Sequence, residues 1–325
     1  MIETISLGIE STAHTVGIGI INDKGKVLAN EKSVYKPELG KGIHPREAGE
    51  HHSKNIVNLI KKSLKISKLN IKDIDIIAFS KGPGLPNCLQ VGATMARYLA
   101  FKYKKPLIPV NHCIAHIEIG KLKTKCKDPV VLYCSGGNTQ IIAFTEGKYR
   151  IFGETEDIPI GNALDVLARY FGLEMPGGPK IDNLAKKGKY IELPYIVKGM
   201  DLSFSGILTE CKKLYDKGIK KEDIAFSFVE NCFAMLTEVT ERALAHTKKN
   251  EVLLVGGVAA SQKLKKMIKN MCKERGAKCF SVPKEFSGDN GVMIAWNGIL
   301  SSKQKTKDYS FDKDWRTDEV DVNWI

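Results

Sequence analysis

A chain of 325 residues is long enough for about two domains with cores of their own, which excludes a disulfide-stapled or metal-folded mini-domain. Hydrophobic residues at 43% and charged residues at 27% match globular usage and exclude wholesale disorder. Fifty Lys and Arg against 37 Asp and Glu leave a formal charge of +13, a field that favours polyanionic partners, nucleic acid first, beside the plainer reading of a solvated lysine surface.

Residues 5–9 and 15–21 alternate in the manner of strands around a polar turn. Asn22-Asp23-Lys24-Gly25 then carries hairpin chemistry, because Asn and Asp close local backbone bonds and Gly accepts positive φ, so 26–35 returns as a third strand. Helical spacing runs over 45–69, with Ile56, Leu59, Ile60 and Leu64 on one stripe and Lys61, Lys62, Lys65 and Lys68 opposite. An apolar run at 74–79 predicts a buried strand. A helix near 90–103, a strand at 107–110 and a helix from about Asn111 complete α/β wiring.

The lysine-rich stretch 121–128 breaks this pattern, and the domain boundary is placed there, giving units of 1–125 and 126–325. The second unit repeats the first in outline: strands at 130–134, 139–145 and 149–152, with Gly25 standing opposite Gly147 and Thr15 opposite Thr139. Duplicated β-meander plus α/β units predict two like domains facing each other across a central cleft. Later elements are helices near 163–170 and 223–246, a strand at 252–255, a helix from Ser261, a strand near 279–282 and a helix from about Gly291. Eight irregularly spaced cysteines with no CxxC pair read as buried thiols in a reducing compartment. The N-terminal ten residues carry acids at Glu3 and Glu10 and no basic run, so they are not a signal peptide, and no apolar stretch is long enough to span a bilayer. A soluble, cytoplasmic protein is expected.

Four constellations carry chemistry. His112 and His116 open a helix directly after a strand, and their i, i+4 spacing puts both imidazoles on one face within reach of a single metal ion; surface or capping roles are the plainer alternative. A zinc protease of the HExxH type would need Glu where this chain has Cys113. Tyr133-Cys134-Ser135-Gly136-Gly137-Asn138 joins two strands and offers unobstructed amides and hydroxyls to a phosphate, or is simply a tight turn; Gly8-Ile9-Glu10-Ser11-Thr12 is its counterpart in the first unit. Gly256-Gly257-Val258-Ala259-Ala260-Ser261 leads a strand into a helix and lets a flat ring or ribose approach, with a plain connection as the alternative. Gly288-Asp289-Asn290-Gly291 precedes a helix, where Asp289 is an N-cap, or a metal ligand if the cleft brings it opposite the histidines. Walker A and GxGxxG patterns are absent, which disfavours the familiar P-loop and Rossmann classes.

In this order, and with His44-Pro45-Arg46-Glu47-Ala48, Lys81-Gly82-Pro83-Gly84-Leu85 and Pro176-Gly177-Gly178-Pro179, these residues resemble the TsaD family of tRNA threonylcarbamoyltransferases, whose archaeal and eukaryotic branch is the catalytic subunit of the KEOPS complex. The likeness spans nearly the whole chain. It implies the actin, Hsp70 and sugar-kinase type of fold. It also implies transfer of a threonylcarbamoyl group from threonylcarbamoyl-AMP to N6 of the adenosine 3′ of the anticodon, position 37, in tRNAs reading ANN codons. On that resemblance His112, His116 and Asp289 hold one divalent metal, iron or zinc with magnesium as an alternative, with Tyr133 near enough to contribute. The nucleotide, ATP, AMP or the acyl-adenylate, is expected along Glu10, Ser11, Tyr133, Cys134, Ser135, Gly136, Gly137 and Asn138. The same resemblance implies Asp165 and Asp182 over the ribose, Gly178 close by, and Gly256, Gly257 and Ser261 beside the adenine; the family often has Asn where Ser261 stands.

An activated acyl-adenylate needs no Ser or Cys nucleophile, and no triad is recognisable. The lysine groups at 61–72, 102–105, 121–127 and 263–278 are candidate tRNA contacts or solvated faces. The expected partners are tRNA, a small kinase-like subunit of the KEOPS type, fused C-terminally in some archaeal relatives, and other KEOPS subunits; no membrane is expected. Alternative readings are a nucleotide-binding scaffold or ATPase of the same fold and a metalloendopeptidase.

Overall fold

A computed structural model describes residues 3–304 and 308–325; Met1 and Ile2 of the N-terminal stretch lie outside the described residues. Strands β1 (Ile5–Glu10), β2 (Thr15–Asn22) and β3 (Val27–Val34) form the expected antiparallel meander. The Asn22 side-chain oxygen closes its turn by accepting the amides of Lys24 at 3.2 Å and Lys26 at 2.8 Å. Helix α1 (Pro45–Ser67) starts on a proline, buries Ile56, Leu59 and Ile60, and ends at Lys68 in the left-handed region. Then follow β4 (Ile76–Gly82), α2 (Pro86–Tyr103), β5 (Leu107–Asn111) and α3 (His112–Thr124).

The second series runs β6 (Val130–Cys134), β7 (Thr139–Thr145), β8 (Lys148–Glu154), α4 (Ile160–Tyr170), α5 (Gly177–Ala185), β9 (Val197–Lys198), β10 (Asp201–Leu202), α6 (Ser205–Asp216) and α7 (Lys221–Thr247). It closes with β11 (Glu251–Val255), α8 (Gln262–Glu274), β12 (Lys278–Ser281), α9 (Lys284–Ser287) and α10 (Gly291–Leu300). The first sheet has the order β3-β2-β1-β4-β5 and the second β8-β7-β6-β11-β12. In both, an antiparallel meander is extended by two parallel strands. Each second strand has a register shift, at Ile20/Ile21 and at Ile141/Ile142, and Gly25 and Gly147 both turn at φ +76°. The duplication expected from the sequence is present in topology, register and turn conformation.

The sheets are stacked in layers. Helices α1 and α2 bury Ile56, Leu59, Ala93 and Ala96 against Leu7, Ile9, Ile77 and Phe79 on one face of the first sheet. Helices α3 and α10 lie between the sheets, sharing a core with Ile21, Ile76 and Ala78 from the first and Val131, Tyr133, Leu253 and Val255 from the second. The remaining face of the second sheet is covered by α4 to α8.

Although α10 follows the second sheet in the chain, it packs on the first. A Cβ at Gly8 or Gly19 would stand 2.2 Å or 2.1 Å from the backbone nitrogen of Ala295 or Val292, so strand and helix meet backbone to backbone. The final segment also bridges the sheets: Asp312 N–H donates to the Lys81 carbonyl at 2.8 Å, and Val322 N–H to the Gly147 carbonyl at 3.2 Å.

Three helices lay outside the sequence expectation, the one-turn α9 and the longer α5 and α6. Helix α5 begins at Gly177 within the Pro176-Gly177-Gly178-Pro179 motif; its glycines and Pro179 fall in the first turn, where proline is tolerated, and Ile181 and Ala185 are buried behind them. Helix α6 turns Ile207, Leu208 and Cys211 inward.

Candidate metal and nucleotide site

The two inner helices begin at one place. Asn111 caps α3 by accepting the amides of Cys113 at 3.0 Å and Ile114 at 3.2 Å, which sets His112 at the first helical position and His116 one turn on. Asn290 caps α10 by accepting the Met293 amide, which leaves Asp289 just outside that helix. His116 Nε2 lies 3.3 Å and His112 Nε2 3.5 Å from the same oxygen, Asp289 Oδ1. The two rings stand edge to face with centroids 4.8 Å apart. One donor atom from each of the three residues falls within 4.8 Å of the others, an N, N, O set with both histidines buried and Asp289 part-exposed, whose chemistry suits a divalent cation.

The electrostatics fit that geometry. Burial works against a charged His112, but the Glu10 carboxylate, reinforced by Asp289, outweighs it and pushes the imidazole up to about 9. Burial depresses His116. Burial alone would raise Asp289; the hydrogen bond from His116 and the charge of His112 hold it well below the usual carboxylate range instead. Tyr133 lies beside His116 at 5.3 Å between ring centroids, and its buried hydroxyl has no hydrogen-bond partner, which makes it a candidate fourth donor.

Beyond Tyr133, the Ser135 hydroxyl accepts the amides of Gly137 at 3.3 Å and Asn138 at 3.0 Å, so the turn is folded by its own first side chain. Gly136 and Gly137 are exposed with open space where a Cβ would be. Gly256 is packed behind them at φ +93°, where a Cβ would lie 2.2 Å from the Cys134 carbonyl oxygen, while Gly257 is exposed. Asp165 Oδ1 accepts the Gly177 amide at 2.6 Å, tying α4 to the start of α5, with Gly178 next to it. Asp182 faces the buried hydroxyl of Ser261. Burial raises both Asp165 and Asp182.

Two of the nominated residues point elsewhere. Cys134 turns its thiol into the core on the far face of the second sheet, because side chains alternate along β6 and Tyr133 faces the inner helices. The Ser11 hydroxyl is wholly buried against α2, 2.0 Å from where a Gly92 Cβ would stand. Glu10 is likewise buried, and it meets Thr12 and His112. His14, which the sequence offered only as part of a turn, stands close enough to Asp165 and Asp289 to bias both toward the carboxylate. Its neighbourhood joins segments far apart in the chain, so local pattern carried no signal for it.

Among the described residues no helix is long and apolar enough to cross a membrane. A family model described as "TsaD: tRNA N6-adenosine threonylcarbamoyltransferase" matches residues 26–296. Proteins named tRNA N6-adenosine threonylcarbamoyltransferase are 57% identical in Thermococcus sibiricus, over 98% of this chain and 100% of that one, and 54% identical in Archaeoglobus fulgidus, over 98% and 99%. A Methanocaldococcus jannaschii protein named as a probable bifunctional tRNA threonylcarbamoyladenosine biosynthesis protein is 53% identical over 99% of this chain and 60% of its own length. Among solved structures, HypF of T. kodakarensis superposes with a TM-score of 0.64 at 16% identity, covering 91% of this chain and 47% of that one. A nucleotide-bound activator of a 2-hydroxyisocaproyl-CoA dehydratase from Clostridium difficile gives 0.53 at 12% identity, covering 93% and 96%. The fold is therefore the actin, Hsp70 and sugar-kinase type, and the chain belongs to the TsaD family of tRNA N6-adenosine threonylcarbamoyltransferases.

Proposed function

We propose that this chain transfers the threonylcarbamoyl group of threonylcarbamoyl-AMP to N6 of adenosine 37 in tRNAs that read ANN codons. Family membership gives the reaction class. The observation that carries the reading on the chain's own geometry is the convergence of His112, His116 and Asp289 beside the turn that follows Tyr133. An acyl-adenylate arrives activated, so no side-chain nucleophile is needed, and burial keeps the nearby Cys113 protonated, pushed up to about 12.

A divalent ion held by His112, His116 and Asp289, of the zinc or iron class with magnesium as an alternative, supplies Lewis acidity toward the carbamoyl carbonyl or the phosphate when bound. Tyr133 contributes its unengaged hydroxyl at the same place. The exposed turn at Gly136 and Gly137 lets the phosphate approach, and the N-terminal ends of α3 and α10 help to stabilise charge on the departing AMP. Asp165 and Asp182 accept from the ribose, and Gly257 and Ser261 border the adenine.

The net charge of +13 suits tRNA as the acceptor. A relative named bifunctional that extends well beyond the part matched here supports a second activity working beside this one. We assign that activity to a small kinase-like subunit of the KEOPS type and place the protein in the cytoplasm. The test is incorporation of label from threonylcarbamoyl-AMP into unmodified tRNA by the full chain with divalent metal, with and without partner subunits. The wild type should incorporate label, and the His112→Ala, His116→Ala double variant should fold but not transfer; full activity in that variant would refute the reading.

A further inference from the structure

Glu10 ends β1 with no solvent exposure. Its Oε1 accepts the Thr12 amide at 2.8 Å and the Thr12 hydroxyl at 2.5 Å, while Oε2 lies 3.0 Å from His112 Nδ1. A carboxylate this deeply buried is tolerated only when donors and a positive partner surround it, and the imidazole edge is that partner. The opposite ring nitrogen, His112 Nε2, is the one directed at Asp289 Oδ1 beside His116 Nε2. His116 has no comparable support: its Nδ1 is buried with no hydrogen-bond partner.

We infer that Glu10 is a positioning residue for the metal centre. By accepting a hydrogen bond from Nδ1–H it fixes the His112 ring in the tautomer and orientation that present Nε2 to the ion. Together with Asp289 it also sets two negative charges against one dication, with both imidazoles buried. Both carboxylate oxygens are already engaged, which argues against a direct role for Glu10 on the nucleotide phosphate, a group that would in any case be repelled by it. The Thr12 hydroxyl, 3.3 Å from the same Nδ1, completes the cradle. The inference rests on the metal reading proposed above.

Cobalt(II) is the probe, titrated into metal-free full-length protein and followed by its visible d–d bands. Glu10→Gln should bind cobalt roughly 10- to 100-fold more weakly than wild type and shift those bands, with far-UV circular dichroism unchanged. Equal affinity and identical bands would overturn the inference. So would a lowered melting temperature of the metal-free variant accompanied by unaltered bands, the signature of a purely structural role. A wild type that binds no cobalt would instead overturn the metal reading itself. Should Glu10→Gln fail to fold, zinc-loaded wild-type protein labelled with 15N-histidine answers the same question: a proton on His112 Nδ1 is expected, and a bare or metal-bound Nδ1 would overturn the proposal.

Discussion

His116 and Asp289 stand 173 residues apart in the chain and 3.3 Å apart in the fold. The approach depends on α10 returning to the first sheet, which brings the residue before that helix to the start of α3. Asp289→Asn keeps the shape and removes the charge that both imidazoles face. The account expects loss of bound metal and a fall in transfer of about a hundredfold or more, read by metal analysis and by labelled transfer. The melting temperature of the metal-free protein should also fall, because the interactions with His116 and His112 that favour the Asp289 carboxylate are lost with the charge.

Gly256 and Gly137 separate structure from ligand contact. A Cβ at Gly256 would collide with the Cys134 carbonyl oxygen at a positive φ, so Gly256→Ala should destabilise the fold by about 2 kcal/mol or more in denaturant titrations. Gly137 has nothing within 4 Å of its Cβ position. Gly137→Ala should stay within about 0.5 kcal/mol of wild type while weakening nucleotide binding by calorimetry.

Much of this was legible in the sequence where the signals are local. The turn at Asn22 to Gly25 and its copy at Glu146-Gly147 marked both hairpins, and the i, i+4 histidines marked one face of α3. The return of α10 was not legible, because nothing in Gly8 or Gly19 says which backbone will lie against it. The inward thiol of Cys134 follows from strand alternation once Tyr133 is known to face the inner helices, but the facing itself is set by packing. Glu10 sat in a loop that read as phosphate-binding, and its approach to His112 spans 102 residues.

His52 sets an acid limit to stability. It is wholly buried on α1, and burial, with His51 adding to it, lowers its imidazole from an ordinary 6.5 to about 4. Between those values the unfolded chain binds the proton and the folded chain does not. The stability this neutral histidine allows is thus present above about pH 6.5 and lost as pH falls toward 4. Wild type should lose on the order of 1–2 kcal/mol more than His52→Leu between pH 7.5 and pH 5. Parallel pH profiles in the two proteins would contradict this.

The basic surface makes a separate prediction. If several phosphates of the anticodon arm are neutralised, log affinity for tRNA should fall against log salt with a slope steeper than about −3. A flat response would assign the lysines to solvation alone.

The central claim is tested most directly by following label from threonylcarbamoyl-AMP into unmodified tRNA with purified chain, divalent metal and partner subunits, and mapping the product to adenosine 37. The account predicts label at N6 of that adenosine, abolished by removing the metal and restored by adding it back. Nucleotide binding with no label in tRNA under any of these conditions would contradict it.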